Sequence, residues 1–200
     1  IGTMAGMKAL HNGKTGLIWV DAHGDFNTYE TTPSGNIHGM AFAVITGRGH
    51  QSLLDIGSSP TVSEAHSVLI AARDLDPGEI ALLKNSLVKV FTMRDIDELG
   101  MAEVAKTAIK IATVGVDHLH VSFDIDSVDP SYAPGTGTAV QGGLSYREAH
   151  LLMELVHESK KLSSFEMVEV NPTLDVRNQT AKLAVELIAS ALGKQILPEE

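Results

Sequence analysis

Short runs of apolar, often β-branched residues alternate along the chain with longer stretches in which apolar residues recur every three or four positions. Short continuous apolar runs are typical of strands buried on both faces, and the longer pattern is typical of helices that pack on a sheet. The alternation predicts an α/β fold of three layers, with a central parallel sheet between two layers of helices. We expect five buried central strands, at residues 16–20, 67–71, 88–91, 119–123 and 165–170.

Helices are predicted where the longer pattern holds, at residues 2–10, 77–87, 101–113, 146–160 and 181–192. The fourth helix has the best-defined start, because Ser145 and Glu148 have the spacing of a capping box. Two segments rich in glycine or proline, 31–39 and 130–143, directly follow strands. Loops at the carboxyl ends of parallel strands form the ligand sites of α/β folds, so we expect functional residues in these segments.

Composition limits the partners and the chemistry. The 200 residues include 25 acidic and 15 basic side chains, for a net charge of −10. This excess argues against nucleic acid or an anionic membrane as a partner, because both require a basic surface. The sequence has no cysteine, so a metal ion would be held by carboxylate and imidazole groups. With no signal-peptide pattern and no apolar stretch of membrane-spanning length, we expect a cytoplasmic protein whose residues 1–200 form a single domain.

A first acidic cluster follows the apolar run at residues 16–20. Asp21, His23 and Asp25 are spaced two apart, so in extended backbone their side chains point to one side. Two carboxylates and an imidazole together are costly to bury without a cation, and these ligands suit manganese, magnesium or zinc. The alternative, equally compatible with the spacing alone, is that Asp21 caps a turn and His23 is an ordinary hydrogen-bonded histidine.

A second acidic cluster, Asp124 and Asp126, lies at the end of the predicted strand 119–123. A calcium-binding loop is excluded because Val128 and Asp129 occupy positions that need a ligand and a glycine. An aspartyl-phosphate phosphatase also places two aspartates in this way, but it leaves the first cluster unexplained. Asp129, before a proline, is interpreted as a turn residue. Two such clusters can together hold two divalent ions that activate a water molecule, which indicates a hydrolase.

With these motifs in this order, the chain closely resembles the arginases of the ureohydrolase superfamily. The resemblance covers essentially the whole chain. It implies the family's α/β fold around a parallel sheet, a centre of two Mn²⁺ ions, and hydrolysis of L-arginine to L-ornithine and urea. The segments that carry it are Asp21-Ala22-His23-Gly24-Asp25, Ser34-Gly35-Asn36-Ile37-His38-Gly39-Met40, Ser122-Phe123-Asp124-Ile125-Asp126 and Glu169-Val170-Asn171-Pro172.

The resemblance also implies a metal ligand set. In it, Asp21 and Asp124 bridge the two ions, His23 and Asp126 bind one ion, and Asp25 binds the other and can relay a proton.

For the substrate, the resemblance implies contacts at both ends. His38 matches a proton-shuttling histidine. Glu169, expected to be buried, matches the carboxylate that holds the substrate guanidinium, with Thr138 beside it. Substrate contacts at the other end are implied for Asn27 and Ser34, which match residues at the α-carboxylate, and for Asp76 and Glu79, which match residues at the α-ammonium.

The match departs from the family at one point. Arginases carry one more ligand, a histidine in a Gly-Gly-Asp-His segment upstream of the stretch that matches residues 1–6. We therefore expect an N-terminally incomplete domain that lacks the first strands of the sheet and one imidazole ligand. An inactive fragment or a non-catalytic subunit is one alternative, and agmatinase or another ureohydrolase is a second. The resemblance also implies a homo-oligomer, either a trimer or a hexamer.

Overall fold

A computed structural model describes residues 1–195 and 197. Its five strands form one parallel sheet in the order β3-β2-β1-β4-β5, which confirms the predicted parallel α/β architecture. Each predicted strand is present, and the start of β5 differs most from its prediction. The strands are β1 (Thr15–Val20), β2 (Ser67–Ala72), β3 (Lys89–Thr92), β4 (His118–Asp124) and β5 (Leu162–Val168).

Helices cover both faces of the sheet. All five predicted helices are present, and the capping box of Ser145 and Glu148 is formed. Three short helices were not predicted, because one or two turns are too short to show a periodic pattern. The helices are α1 (Gly2–His11), α2 (Ala41–Ile45), α3 (Gln51–Leu54), α4 (Pro77–Lys84), α5 (Met93–Leu99), α6 (Met101–Ala112), α7 (Tyr146–Glu158) and α8 (Gln179–Ala191).

Two apolar cores separate the three layers. One lies between the sheet and helices α5 to α8, and the other lies between the opposite face and helices α1, α2 and α4. Strands β1 and β2 contribute apolar side chains to both cores, as expected for strands that are buried on both faces. Strand β4 contributes to the first core, and its other face carries the buried polar residues His120 and Ser122. The expectation that all five strands are central is wrong for β3 and β5, which form the two edges and have partly exposed side chains.

The contact between β1 and the end of α6 leaves no room for a side chain. A Cβ atom built on Gly16 would lie 1.8 Å from the carbonyl oxygen of Ala112. The helix backbone therefore rests directly on the first central strand. None of the helices among residues 1–195 is both long enough and apolar enough to cross a bilayer.

The central strands bring the two acidic clusters together. β1 and β4 are neighbours in parallel register, with Val20 opposite Phe123. Asp21 follows β1 directly, Asp124 ends β4, and the Asp21 amide donates a 3.0 Å hydrogen bond to Ile70 of β2. The carboxyl ends of three strands thus form one edge of the sheet, where ligand sites of parallel α/β folds occur.

Candidate metal centre

One cavity lies at this edge of the sheet. Its volume of about 160 Å³ limits its contents to ions and small molecules. Of the predicted site residues, Asp21 alone does not line the cavity; it is only 1% exposed and contacts His23. The other predicted residues all line it: His23, Asp25, Asn27, Ser34, His38, Asp76, Glu79, Asp124, Asp126, Thr138 and Glu169.

Asp21, His23 and Asp126 form the most compact group of potential ligands among the described residues. One ligand atom from each lies within 4.8 Å of the others. His23 Nδ1 is 3.3 Å from Asp21 Oδ1 and 3.1 Å from Asp126 Oδ2. The second oxygen of Asp21 accepts a 2.9 Å hydrogen bond from Trp19 Nε1, which fixes the plane of this buried carboxylate. The group therefore joins the two strand ends through direct contacts.

The electrostatics of this cluster favour a bound cation. Burial, together with repulsion by Asp21 and Asp126, raises the pKa of Asp124 to about 10. Hydrogen bonds to Asp126 and Asp21 raise the pKa of His23 to about 11. Burial and the charge of Asp21 also raise the pKa of Asp25 well above its ordinary value. Carboxylates that are buried this close together resist ionisation unless a cation compensates them, so the donor set fits divalent metal ions.

We expect the metal-free protein to lose stability as the pH rises from about 6.5 to about 9. In the folded state Asp124 and His23 keep protons that the unfolded chain releases at lower pH, because both pKa values are raised. The free energy of unfolding then falls by at most about 1.4 kcal/mol per pH unit for each proton. Denaturant titrations in the presence of a chelator would measure this slope. A stability that increases over this range would contradict the expectation.

Added Mn²⁺ should remove this loss, because ions bind the deprotonated ligands and only in the folded state. The stabilisation by Mn²⁺ should therefore be larger at pH 9 than at pH 6.5. An equal effect at both pH values would indicate binding outside this cluster.

Asp25 stands on strained backbone that neighbouring groups hold in place. Its φ is 49°, in the left-handed region, and its carbonyl accepts hydrogen bonds from the amides of Phe42 and Ala43 in α2. The next amide, of Phe26, donates a 2.7 Å hydrogen bond to Glu79 Oε1. Left-handed residues other than glycine persist only where the surroundings determine them, and they are frequent at functional sites.

Glu79 uses both carboxylate oxygens within the protein. Oε1 accepts from Phe26, and Oε2 accepts a 3.3 Å hydrogen bond from the amide of Asp76 at the start of α4. A Cβ atom on Gly24 would lie 2.5 Å from the Glu79 carboxyl carbon, so a larger residue there would displace this carboxylate from its two main-chain hydrogen bonds. Glu79 therefore lines the cavity as a link between the loops after β1 and β2.

The remaining predicted residues also line the cavity, and they differ in exposure. Asn27 Nδ2 donates a 2.9 Å hydrogen bond to Asp76 Oδ2, and Thr138 Oγ1 donates a 2.9 Å hydrogen bond to Asp126 Oδ2. Glu169 is exposed, so the expectation that it is buried is wrong; it follows the edge strand β5 and has a φ of 63°. His38 and Ser34 are also exposed and in contact with solvent.

Asp129 is a turn residue, as predicted. Its carboxylate accepts hydrogen bonds from the amides of Ser131, Gly142 and Gly143 and does not line the cavity. Hydrogen bonding by the Ser131 side chain, and then by these amides, lowers the pKa of Asp129 to about 2.

Four residues that line the cavity were not singled out from the sequence: Thr32, Asn36, Gly39 and Asp74. Asn36 and Gly39 lie within a quoted motif, and Asp74 lies two positions before Asp76. Their placement follows from the folding of the loops after β1 and β2, for which the sequence has no periodic signal.

Known proteins resemble the chain over nearly its whole length. The family model described as "Arginase family" matches residues 1–193. The arginase of Bacillus subtilis is 50% identical over 198 residues, which cover 98% of this chain and 66% of that protein. This chain thus spans about two thirds of the length of that relative.

Two solved structures have the same fold. The arginase of Bacillus caldovelox matches with a TM-score of 0.95 and 47% identity, covering 98% of this chain and 65% of that one. The arginase of Entamoeba histolytica, solved in complex with L-ornithine, matches with a TM-score of 0.89 and 36% identity, covering 96% of this chain and 65% of that one.

Proposed function

Because the chain belongs to the arginase family, we propose that it serves the hydrolysis of L-arginine to L-ornithine and urea. The observation that carries the proposal is the convergence of two acidic strand ends on one small cavity, with His23 in contact with both Asp21 and Asp126. An anionic cavity of this kind suits a substrate whose reacting group is a guanidinium cation.

We propose Mn²⁺ as the metal, held by five residues. In this proposal Asp21 and Asp124 would serve both ions, His23 and Asp126 would serve one of them, and Asp25 would serve the other. The ions would supply a nucleophilic water molecule near neutral pH. Trp19 hydrogen-bonds the Asp21 carboxylate, and the α2 amides hydrogen-bond the main-chain carbonyl of Asp25, so both residues are held in position before any ion binds.

Glu169 and Thr138 are proposed to orient the guanidinium. A carboxylate can accept two parallel hydrogen bonds from a guanidinium, which gives orientation as well as attraction. Glu169 is exposed and lines the cavity, so its carboxylate is accessible to a ligand. Thr138 donates its hydroxyl proton to Asp126, which leaves the hydroxyl oxygen to accept a hydrogen bond from the substrate.

Proton transfer is assigned to Asp25 and His38. Asp25 lies inside the cavity, where it can give a proton to the departing amine. His38 is exposed and lines the cavity, where its imidazole is accessible both to a ligand and to solvent.

The amino-acid end of the substrate is assigned to four residues that line the cavity. Asn27 and Ser34 are proposed to meet the α-carboxylate, and Asp76 the α-ammonium. Glu79 is proposed to act at the α-ammonium through the position that it gives Asp76, because its oxygens already accept main-chain amides.

Comparing urea release from L-arginine and from agmatine, each with saturating Mn²⁺, tests the proposal. Agmatine lacks the α-carboxylate, so we expect a clear preference for L-arginine in kcat/KM. Ser34→Ala should raise KM for L-arginine and leave agmatine unaffected, and Ser58→Ala, which lies outside the cavity, serves as the control.

A preference for agmatine would refute the choice of substrate within the family. No urea from either substrate, with Mn²⁺ bound, would refute the activity itself.

The cellular location and the oligomeric state are also proposed from the family. We expect a cytoplasmic protein that assembles as a homo-oligomer, a trimer or a hexamer. Light scattering on the purified protein measures the number of subunits, and a monomer would contradict this expectation.

A further inference from the structure

Arg73 follows β2, and each of its guanidinium N–H groups donates a hydrogen bond to a main-chain carbonyl. Nη2 donates to Asp126 and Val140, both at 2.7 Å. Nη1 donates to Ser127 at 3.1 Å and to Ala71 at 3.4 Å, and Nε donates to Gln141 at 3.2 Å. Five donors in one plane thus join three chain segments.

Four of these five carbonyls lie at the two ends of one loop, and the fifth, of Ala71, lies in β2. The segment 128–143 leaves β4 after Asp126 and Ser127 and returns to Val140 and Gln141, so Arg73 closes its base. The two ends also pair directly, since the Leu144 amide donates to the Ser127 carbonyl and the Asp129 amide donates to the Leu144 carbonyl, each at 2.9 Å.

Gly143 makes this closure possible. A Cβ atom there would lie 2.6 Å from Arg73 Nη2 and 2.7 Å from the Ser127 carbonyl oxygen. Any larger residue would separate the guanidinium from the loop.

The loop carries a direct contact to the candidate metal centre. Thr138, within it, donates to Asp126 Oδ2, the same oxygen that lies 3.1 Å from His23 Nδ1. Arg73 therefore reaches Asp126 twice, through its own hydrogen bond to the Asp126 carbonyl and through the loop that presents Thr138.

We propose that Arg73 is a positioning residue, which closes the 128–143 loop and thereby sets the orientation of the Asp126 carboxylate for metal binding. The part of the inference that concerns metal binding rests on the proposed function. Lysine has the same charge but only three donors at one point, so it cannot reproduce five bonds in a plane.

Hydrogen exchange tests the loop without any metal. In the metal-free protein, Arg73→Lys and Gly143→Ala should each accelerate exchange of the amides in 128–144, while β1 and α6 keep the exchange rates of the parent. Arg94→Lys is the matched control, because Arg94 is exposed and pairs only with Glu98 one helical turn away.

Titration with Mn²⁺ alone tests the consequence for the centre. Groups that orient a metal ligand typically contribute 10- to 100-fold to affinity, so Arg73→Lys should weaken Mn²⁺ binding by about tenfold. Arg94→Lys should bind as the parent does.

Three results would overturn the inference: parent-like exchange of the loop in both variants, faster exchange spread evenly over the whole protein, or a faster loop with unchanged Mn²⁺ affinity. A parent that binds no Mn²⁺ would instead refute the proposed metal centre. In that case the exchange measurement alone decides whether Arg73 closes the loop.

Discussion

Replacing Asp126 by asparagine is expected to lower urea release from L-arginine by at least about 100-fold, because loss of a metal ligand should cost more than loss of a residue that orients one. Asp126 belongs to the second acidic cluster and is in direct contact with the first. Its carboxylate accepts hydrogen bonds from the Ala22 amide and from Thr138, and it lies 3.1 Å from His23. Asparagine preserves the shape but removes the charge that a cation requires.

Asp117→Asn is the control for this prediction, because Asp117 is a largely exposed carboxylate paired with Lys161. Both variants should be assayed for urea release and for Mn²⁺ binding by calorimetry. We expect Asp126→Asn to lose both and Asp117→Asn to retain both. Activity and Mn²⁺ affinity that survive in Asp126→Asn would remove this residue from the ligand set.

Replacing Gly16 by alanine is expected to cause the largest loss of stability of any alanine substitution at a glycine. The added methyl would lie 1.8 Å from the Ala112 carbonyl oxygen and 2.6 Å from its carbon. These are backbone atoms at the end of α6, so no side-chain rotation can relieve the overlap. Overpacking of a core costs typically 1–3 kcal/mol, and we expect about 3 kcal/mol at this position.

Gly6→Ala is the matched control, since nothing lies within 4 Å of a Cβ at that exposed position in α1. It should leave the free energy of unfolding unchanged or raise it by about 0.5–1 kcal/mol, because alanine is the better helix former. Denaturant unfolding followed by circular dichroism gives both values. Equal stabilities of the two variants would mean that α6 does not rest on β1 as described.

The elements that could be predicted from the sequence are those with a periodic signal. The central strands and the five long helices appear close to their predicted positions, because burial imposes a recognisable spacing on apolar residues. The edge strands were misjudged as central, since a short apolar run looks the same at either place. Helix α5 has a capping box of Thr92 and Asp95 but too few turns to reveal an amphipathic face.

The sequence predicted most of the residues that line the candidate site, but it did not predict the contacts that hold them. The motifs led us to expect Asp21, His23 and Asp126 in one site, and the structure brings one potential ligand atom of each within 4.8 Å of the others. The contacts that fix these groups link residues far apart in the chain, as Glu79 does with Phe26 and Arg73 with Val140. Such pairings depend on how the loops fold, and no pattern in the local sequence predicts them.

The left-handed backbone of Asp25 and Glu169 has a consequence for how this protein can change. Both residues line the cavity, and glycine would adopt either conformation at no steric cost. A glycine at either position would therefore relieve backbone strain and remove a carboxylate from the cavity. Under the proposed function, each of these two carboxylates is kept at the expense of local backbone strain.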